Sequence, residues 1–356
     1  MAIVFSFVKK IIYKKEKFMS CKMLFFDYRE SEKNFFKEHH FENFDIKFFE
    51  ESLNEVTLES LDKEDLENAM IISVFITSNV DEKIISKFKN LRIISTRSTG
   101  YDHICLNSCA MKNIALVNVE AYGNTTVAQY TMALILMLVR KLYQAISSQK
   151  DIKPKYGDYC GRNLNNLTIG VIGTGSIGCA VCNYSKAFGM KILAYDVRQR
   201  NDLINETNVE YTDLDYLLKN SDIITLHLPN NNETYHMIGR EQFEMMKDGA
   251  YFVNVSRGEL VDTEALLEFA KNGKFEGIAL DVVACPVSDS DNKGENRSAV
   301  TCVETSETVR ELSKMQNVIL TPHMAYDTQE AIDYILNLTF KSLSDYVQGG
   351  RANRVI

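Results

Sequence analysis

The chain has 356 residues, enough for two domains of ordinary size, and 45% of them are hydrophobic and 25% charged. That balance belongs to a folded globular chain rather than to a disordered or membrane-embedded one. A formal charge of −8 argues against nucleic acid or an anionic membrane as the main partner.

Residues 1–18 stand apart, with five lysines and one glutamate among interrupted apolar residues. The apolar part is too short to span a membrane, and its basic residues follow it, opposite to a secretory signal. It reads as a disordered extension or as a start placed upstream of Met19, with a basic surface helix as the alternative. Strands are expected at Lys22–Asp27, Ile46–Glu50, Ala69–Thr77 and Leu91–Thr96, with helices at 29–40 and 81–90. Such alternation implies a small open α/β domain. Val127–Tyr143 is apolar on most sides, as expected of a long helix buried between domains or subunits. Residues 150–166 are polar and irregular.

The segment from Thr168 to Asp196 carries the most information. Thr168–Ile172 is a short apolar run, Gly173-Thr174-Gly175-Ser176-Ile177-Gly178 opens a helical pattern, and a second apolar run ends at Asp196. Strand, glycine turn, helix, strand and acid in this order form a dinucleotide-binding fingerprint. Gly173 permits the tight turn, Gly175 lets backbone approach a pyrophosphate, and Gly178 lets the helix lie close on the strand. The helix N-terminus offers N–H groups and positive partial charge to phosphates. Asp196 suits the ribose hydroxyls and favours NAD over NADP, although Arg198 and Arg200 are near enough in sequence to reach a 2′-phosphate.

Beyond the fingerprint the alternation continues. Strands are expected at 191–195, 223–228, 250–255, 277–282 and 318–321, and helices at 212–219, 240–246, 262–271 and 328–348. This is a doubly wound parallel sheet. Residues 284–305 are polar without periodicity and read as a long loop. Cysteines at 21, 105, 109, 160, 179, 182, 285 and 302 are scattered, as suits a reducing cytoplasm. Cys179 and Cys182 form a CxxC on the helix after the glycine turn, read as two packing residues because no second pair lies at metal spacing. No metal site is expected.

Three more segments fall just past strand ends, where doubly wound sheets place their sites: Asn254–Gly258, Asp281 and Thr321–His323. An arginine fork at Arg257 can hold a carboxylate. A histidine at His323 can deliver a proton beside a hydride transfer. Asp281 can orient a nicotinamide carboxamide.

These segments and several others make the chain resemble the D-isomer-specific 2-hydroxyacid dehydrogenases. It is most similar to the D-lactate dehydrogenase branch, which includes those of vancomycin resistance. The resemblance spans about residues 20–350 and rests on STRSTGYDH (95–103), VAQYTMALILMLVRK (127–141), IGVIGTGSIG (169–178), LLKNSDIITLHLP (217–229), NVSRGELVDTEAL (254–266), ALDV (279–282) and TPHMAY (321–326). It implies two doubly wound parallel-sheet α/β domains. A flavodoxin-like substrate domain would take residues 19–119 and 327–356. A Rossmann NAD-binding domain would take 120–326, with a homodimer built around helix 127–143. The partners implied are NAD and a small 2-oxo or 2-hydroxy acid, with no nucleic acid and no membrane, in the cytoplasm. Arg257 would hold the 2-oxo acid and His323 would be the general acid/base. Thr99 and Gly100 would offer backbone N–H groups to the carboxylate, and Tyr101 and Tyr326 would wall the pocket. Gly173, Gly175, Ser176, Ile177, Gly178, Asp196, Pro229, Ser256 and Asp281 would line the NAD site. The expected reaction is reduction of pyruvate to D-lactate.

One departure from the pattern is chemical. The family's catalytic glutamate, which pairs with the histidine and raises its pKa, falls at Pro286, and an acidic position two residues earlier in many relatives is Ala284. A second departure, Gly123-Asn124-Thr125 where relatives have a proline, reads as loop variation. Three expectations follow. A loop carboxylate such as Asp289, Asp291 or Glu295 substitutes, or His323 works alone and more slowly, or the chain is an NAD(H)-binding regulator with impaired catalysis.

Overall fold

The computed structural model describes residues 20–120, 122–147, 157, 159–284 and 306–356. The extension 1–18 and the loop residues Pro286, Asp289, Asp291 and Glu295 lie outside them. The chain divides into two compact units, one from residues up to Glu120 together with Ile332–Ile356, the other Ala121–Ala331.

The first unit is a five-stranded parallel sheet. Its strands in chain order are β1 (Cys21–Phe25), β2 (Phe44–Phe48), β3 (Ile71–Val74), β4 (Ile93–Thr96) and β5 (Ala115–Val117), arranged β2-β1-β3-β4-β5. This is the flavodoxin-like order. Strand alternation separates two cores. Leu24, Ile72, Ile94 and Leu116 face one way, and Met23, Phe25, Ile71, Ile93 and Val117 the other. The second layer is closed by the C-terminal helix Gln329–Val347, whose Ile332, Leu336, Phe340 and Leu343 pack onto it. That apolar face explains why the chain end belongs to this unit.

The second unit holds seven parallel strands: β6 (Thr168–Ile172), β7 (Lys191–Tyr195), β8 (Glu210–Tyr211), β9 (Ile223–Leu226), β10 (Ala250–Asn254), β11 (Phe275–Leu280) and β12 (Val318–Leu320). Their order is β12-β11-β10-β9-β6-β7-β8, a Rossmann arrangement whose direction reverses between β6 and β9. All ladders are parallel, and the strands read as continuous apolar runs because both faces are covered. Gly170 in β6 is needed for this closeness. A Cβ there would sit 2.5 Å from Leu217 Cδ2 and would overlap the Ser221 hydroxyl.

The expected long helix 127–143 is two pieces, Asn124–Val139 and Leu142–Ser147. Lys141 between them takes φ +52°. The Val139 carbonyl accepts from Arg162 N–H at 3.0 Å, and a Cβ on Gly161 would overlap that carbonyl. A neighbouring segment thus takes over a carbonyl at the helix end. Helices at Glu55–Glu59, Lys63–Asn68, Leu106–Met111, Asn201–Thr207 and Glu307–Ser313 were not expected. Two of them begin at side-chain caps, Asn54 accepting from Thr57 N–H and Ser306 from Val309 N–H. The thiol of Cys182 is fully buried and its pKa is pushed up to about 12 by burial, so it packs as a neutral group. No cluster of potential metal ligands occurs among the described residues.

Candidate functional site

The glycine turn after β6 has the shape its sequence implies. Gly173 sits at φ +94°, and a Cβ there would press to 2.6 Å on the His227 carbonyl oxygen. Gly178 lies against the Gly173 carbonyl so closely that any Cβ would overlap it. Beside Gly175 there is open space, and no side chain caps the helix Ser176–Ala187 that begins next. Ser176 and Ile177 lie in the first turn. An uncapped helix end with room beside it is the arrangement that accepts a pyrophosphate.

Asp196, at the end of β7, accepts from Thr174 N–H at 2.6 Å and from the Thr174 hydroxyl at 3.1 Å. Its other oxygen accepts from Arg198 N–H at 2.9 Å. The carboxylate is therefore oriented against the glycine turn, and Tyr211 supports it by donating to Thr174 Oγ1 at 2.8 Å. The Arg200 guanidinium is engaged by Asp202, with one contact at 3.2 Å. That ion pair draws one of the two neighbouring arginines away from a 2′-phosphate role.

Past β9 comes His227, then Pro229. His227 Nε2 lies 3.0 Å from Thr225 Oγ1. The residue as a whole is partly accessible, but Nδ1 is buried without a hydrogen-bond partner. Burial pushes the imidazole pKa down from 6.5 to about 3. The neutral form is the folded form, so the unfolded chain binds more protons between these values. Stability from this site is full above pH 6.5 and is lost as pH falls toward 3. We expect the urea midpoint of the wild type to fall more steeply across this window than that of His227→Asn. Parallel slopes would contradict it.

The next loop is braced by Asn254. Its side-chain oxygen accepts from Ser256 N–H at 3.0 Å, and its amide donates to the Arg257 carbonyl at 2.8 Å. Ser256 Oγ donates to the Leu228 carbonyl. Half-buried Arg257 turns Nη1 onto the Ser256 carbonyl at 2.8 Å. Gly258 then packs flush on the backbone of Val283 and Ala284, with no room for a Cβ.

Asp281 is wholly buried just past β11. Oδ1 accepts from the Thr321 hydroxyl at 2.6 Å and Met324 N–H at 2.9 Å, and Oδ2 from Ala325 N–H at 3.0 Å. Its backbone carbonyl accepts from His323 N–H at 3.0 Å. The carboxylate thus braces the turn that carries His323. His323 itself adopts φ +53° and meets Tyr326 edge-on, with ring centroids 6.4 Å apart. Arg257, Asp281 and His323 follow β10, β11 and β12, three adjacent strands of one sheet edge.

In the first unit, Thr99, Gly100 and Tyr101 form a loop past β4. Thr99 Oγ1 donates to the Val119 carbonyl at 2.9 Å, and Tyr101 packs on the core around Ile94 and Ile104. Among the described residues, no group of the protein accepts from the N–H of Thr99, Gly100 or Tyr101. Just before the loop, buried Arg97 donates to the Phe26 carbonyl at 2.8 Å and Ser73 Oγ at 3.0 Å, and lies over the Phe25 ring. Sequence reasoning did not single out Asn254, Thr174, Tyr211, His227 or Arg97. Asn254, Thr174, His227 and Arg97 each lie in a motif block that the sequence offered, whereas Tyr211 lies in none.

Comparison with known proteins gives a consistent neighbourhood. Residues 132–325 match the family model described as "D-isomer specific 2-hydroxyacid dehydrogenase, NAD binding domain". A "2-hydroxyacid dehydrogenase homolog" of Haemophilus influenzae is 34% identical over 88% of this chain and 92% of its own length. A "D-specific alpha-keto acid dehydrogenase" of Enterococcus faecium is 38% identical over 77% of this chain and 82% of its own. Among solved structures, the D-lactate dehydrogenase of Aquifex aeolicus, complexed with NAD and lactic acid, aligns at TM-score 0.79 and 36% identity, covering 94% of this chain and 98% of that one.

Proposed function

The chain belongs to the D-isomer-specific 2-hydroxyacid dehydrogenase family, and on that premise we propose that it reduces pyruvate to D-lactate, with Arg257 and His323 as its catalytic residues. It is an NAD-dependent enzyme of small 2-hydroxy and 2-oxo acids; the substrate and the residue roles are the proposal. The reduced cofactor, NADH, would supply the hydride for reduction and be left as NAD+. Gly173, Gly175, Gly178 and the first turn at Ser176 and Ile177 would hold its pyrophosphate, Asp196 its ribose, and Pro229 and Ser256 would line the rest of its site.

In this reading Arg257 pairs with the substrate carboxylate and polarises the carbonyl beside it. His323 hydrogen-bonds the carbonyl oxygen and gives it a proton as charge develops there. Thr99 and Gly100 offer N–H groups to the carboxylate, and Tyr101 and Tyr326 exclude water by bulk. Asp281 acts through the His323 turn. Leu142 and Ile146, apolar and exposed on the helix Leu142–Ser147, support a homodimer that covers them.

The observation that carries the reading is the bracing of the Arg257 and His323 loops by Asn254 and Asp281 on one sheet edge. Fixed donors are what differential transition-state binding requires. The test is NADH oxidation over a panel of 2-oxo acids from pyruvate to phenylpyruvate, with chiral analysis of the product. Pyruvate turnover to the D-enantiomer is expected. A preference for larger acids would move the substrate assignment, and no turnover of any member would sink the reading.

A further inference from the structure

Three consecutive peptide planes of the loop 98–101 are each held by their carbonyl. The Ser98 carbonyl accepts from Val119 N–H at 3.1 Å. The Thr99 carbonyl accepts from Asn118 Nδ2 at 3.0 Å, and the Gly100 carbonyl from Ser98 Oγ at 2.6 Å. In a planar trans peptide the N–H points opposite to the carbonyl. Holding these three oxygens therefore aims the N–H groups of Thr99, Gly100 and Tyr101, the groups no part of the described protein accepts from.

The last of these bonds is fed by a chain of one direction. A carbonyl can only accept, so the Ser98 hydroxyl proton is spent on Gly100. Ser98 Oγ also lies 2.7 Å from Thr96 Oγ1, and must accept there. The Thr96 proton is then spent on Ser98, so Thr96 Oγ1 accepts from His103 Nε2, 3.1 Å away. Thr96 and Ser98 are buried, at 0% and 1% exposure, so water is a poor substitute for either partner. The order of donors fixes His103 as carrying a proton on Nε2.

We propose that His103, Thr96 and Ser98 are positioning residues for the substrate carboxylate, aiming the backbone N–H groups of the loop 98–101. The proposal rests on the reading of that loop given above. None of the three touches substrate. Cutting the relay loosens the donors without altering the proton donor or the NAD site. Binding of ground and transition states weakens alike, which raises KM and spares kcat.

The test compares Thr96→Val, which keeps the shape and removes the hydroxyl, with Thr96→Ser, which keeps the hydroxyl. Thr96→Val is expected to raise KM for the 2-oxo acid about tenfold, the size of one misplaced hydrogen bond to a charged group. Its kcat and its NADH affinity should stay at the wild-type level. Its preference for a 2-oxo acid over the matching 2-oxo amide should shrink, because the amide lacks the charge these donors serve. Thr96→Ser should restore all of this. His103→Leu cuts the relay from its half-buried end and should match Thr96→Val even if the latter folds poorly.

An unchanged KM in both cut variants would overturn the proposal, as would a joint loss of kcat and NADH affinity or failure of serine to rescue. Nitrogen NMR of the His103 ring tests the relay without turnover. A ring protonated on Nδ1 alone would overturn it. If the wild type reduces no 2-oxo acid, the functional reading fails while the ring measurement still judges the relay.

Discussion

Replacing His323 by asparagine is expected to lower kcat for 2-oxo acid reduction by about 10² to 10⁴, the usual worth of a positioned general acid. Asparagine is the informative choice. His323 sits at φ +53°, a left-handed conformation that asparagine tolerates better than alanine does. The backbone N–H of residue 323 can keep its bonds to the carbonyls of Asp281 and Thr321, both at 3.0 Å. The imidazole goes, and with it contacts that include the edge of the Tyr326 ring, a contact worth about 0.5–1.5 kcal/mol to the fold. Stability and NADH affinity should therefore move little while turnover collapses. Steady-state kinetics beside a fluorescence titration of NADH separates the two effects. A variant that keeps wild-type kcat would remove His323 from the mechanism.

The fold was largely legible from the sequence, because long apolar strands and the glycine fingerprint are strong local signals. Thr168–Ile172 and Lys191–Tyr195 are strands where the apolar runs put them, and Thr263–Lys271 is a helix where the pattern does. The misses are short. Helix Glu55–Glu59, strand Ala115–Val117 and strand Glu210–Tyr211 are too brief to show a full period. The break at Lys141 carries no glycine or proline, since its cause is Arg162 capturing the Val139 carbonyl from 23 positions away in sequence, counting 162 − 139. Site roles divide the same way. Residue types at strand ends pointed to Arg257, Asp281 and His323, but the partners that orient them are remote in sequence. Thr174 needs Tyr211, and Asp281 needs Thr321; nothing local to either residue announces the pairing.

That second pairing makes Asp281 the most consequential residue of the site apart from those proposed to touch substrate. Its side chain is wholly buried and accepts from three donors, the Thr321 hydroxyl and the N–H groups of Met324 and Ala325. Asparagine has the same shape but only one accepting oxygen. If that oxygen faces Met324 and Thr321, the NH₂ group faces Ala325 N–H, donor against donor; the flipped amide sets its NH₂ against Met324 N–H instead. Leaving one buried N–H unsatisfied costs about 1–3 kcal/mol, and the loss of charge-assisted bonds adds to it. The same N–H groups shape the turn that follows His323, so relieving the clash displaces the imidazole. A displacement near 1 Å is worth about 10² in rate. We therefore expect Asp281→Asn to lose both thermal stability and kcat, whereas His323→Asn loses kcat almost alone. Measured together, the two variants distinguish a positioning residue from the proton donor it positions. Full activity with an unchanged melting temperature in Asp281→Asn would mean that the His323 turn holds its shape without the carboxylate.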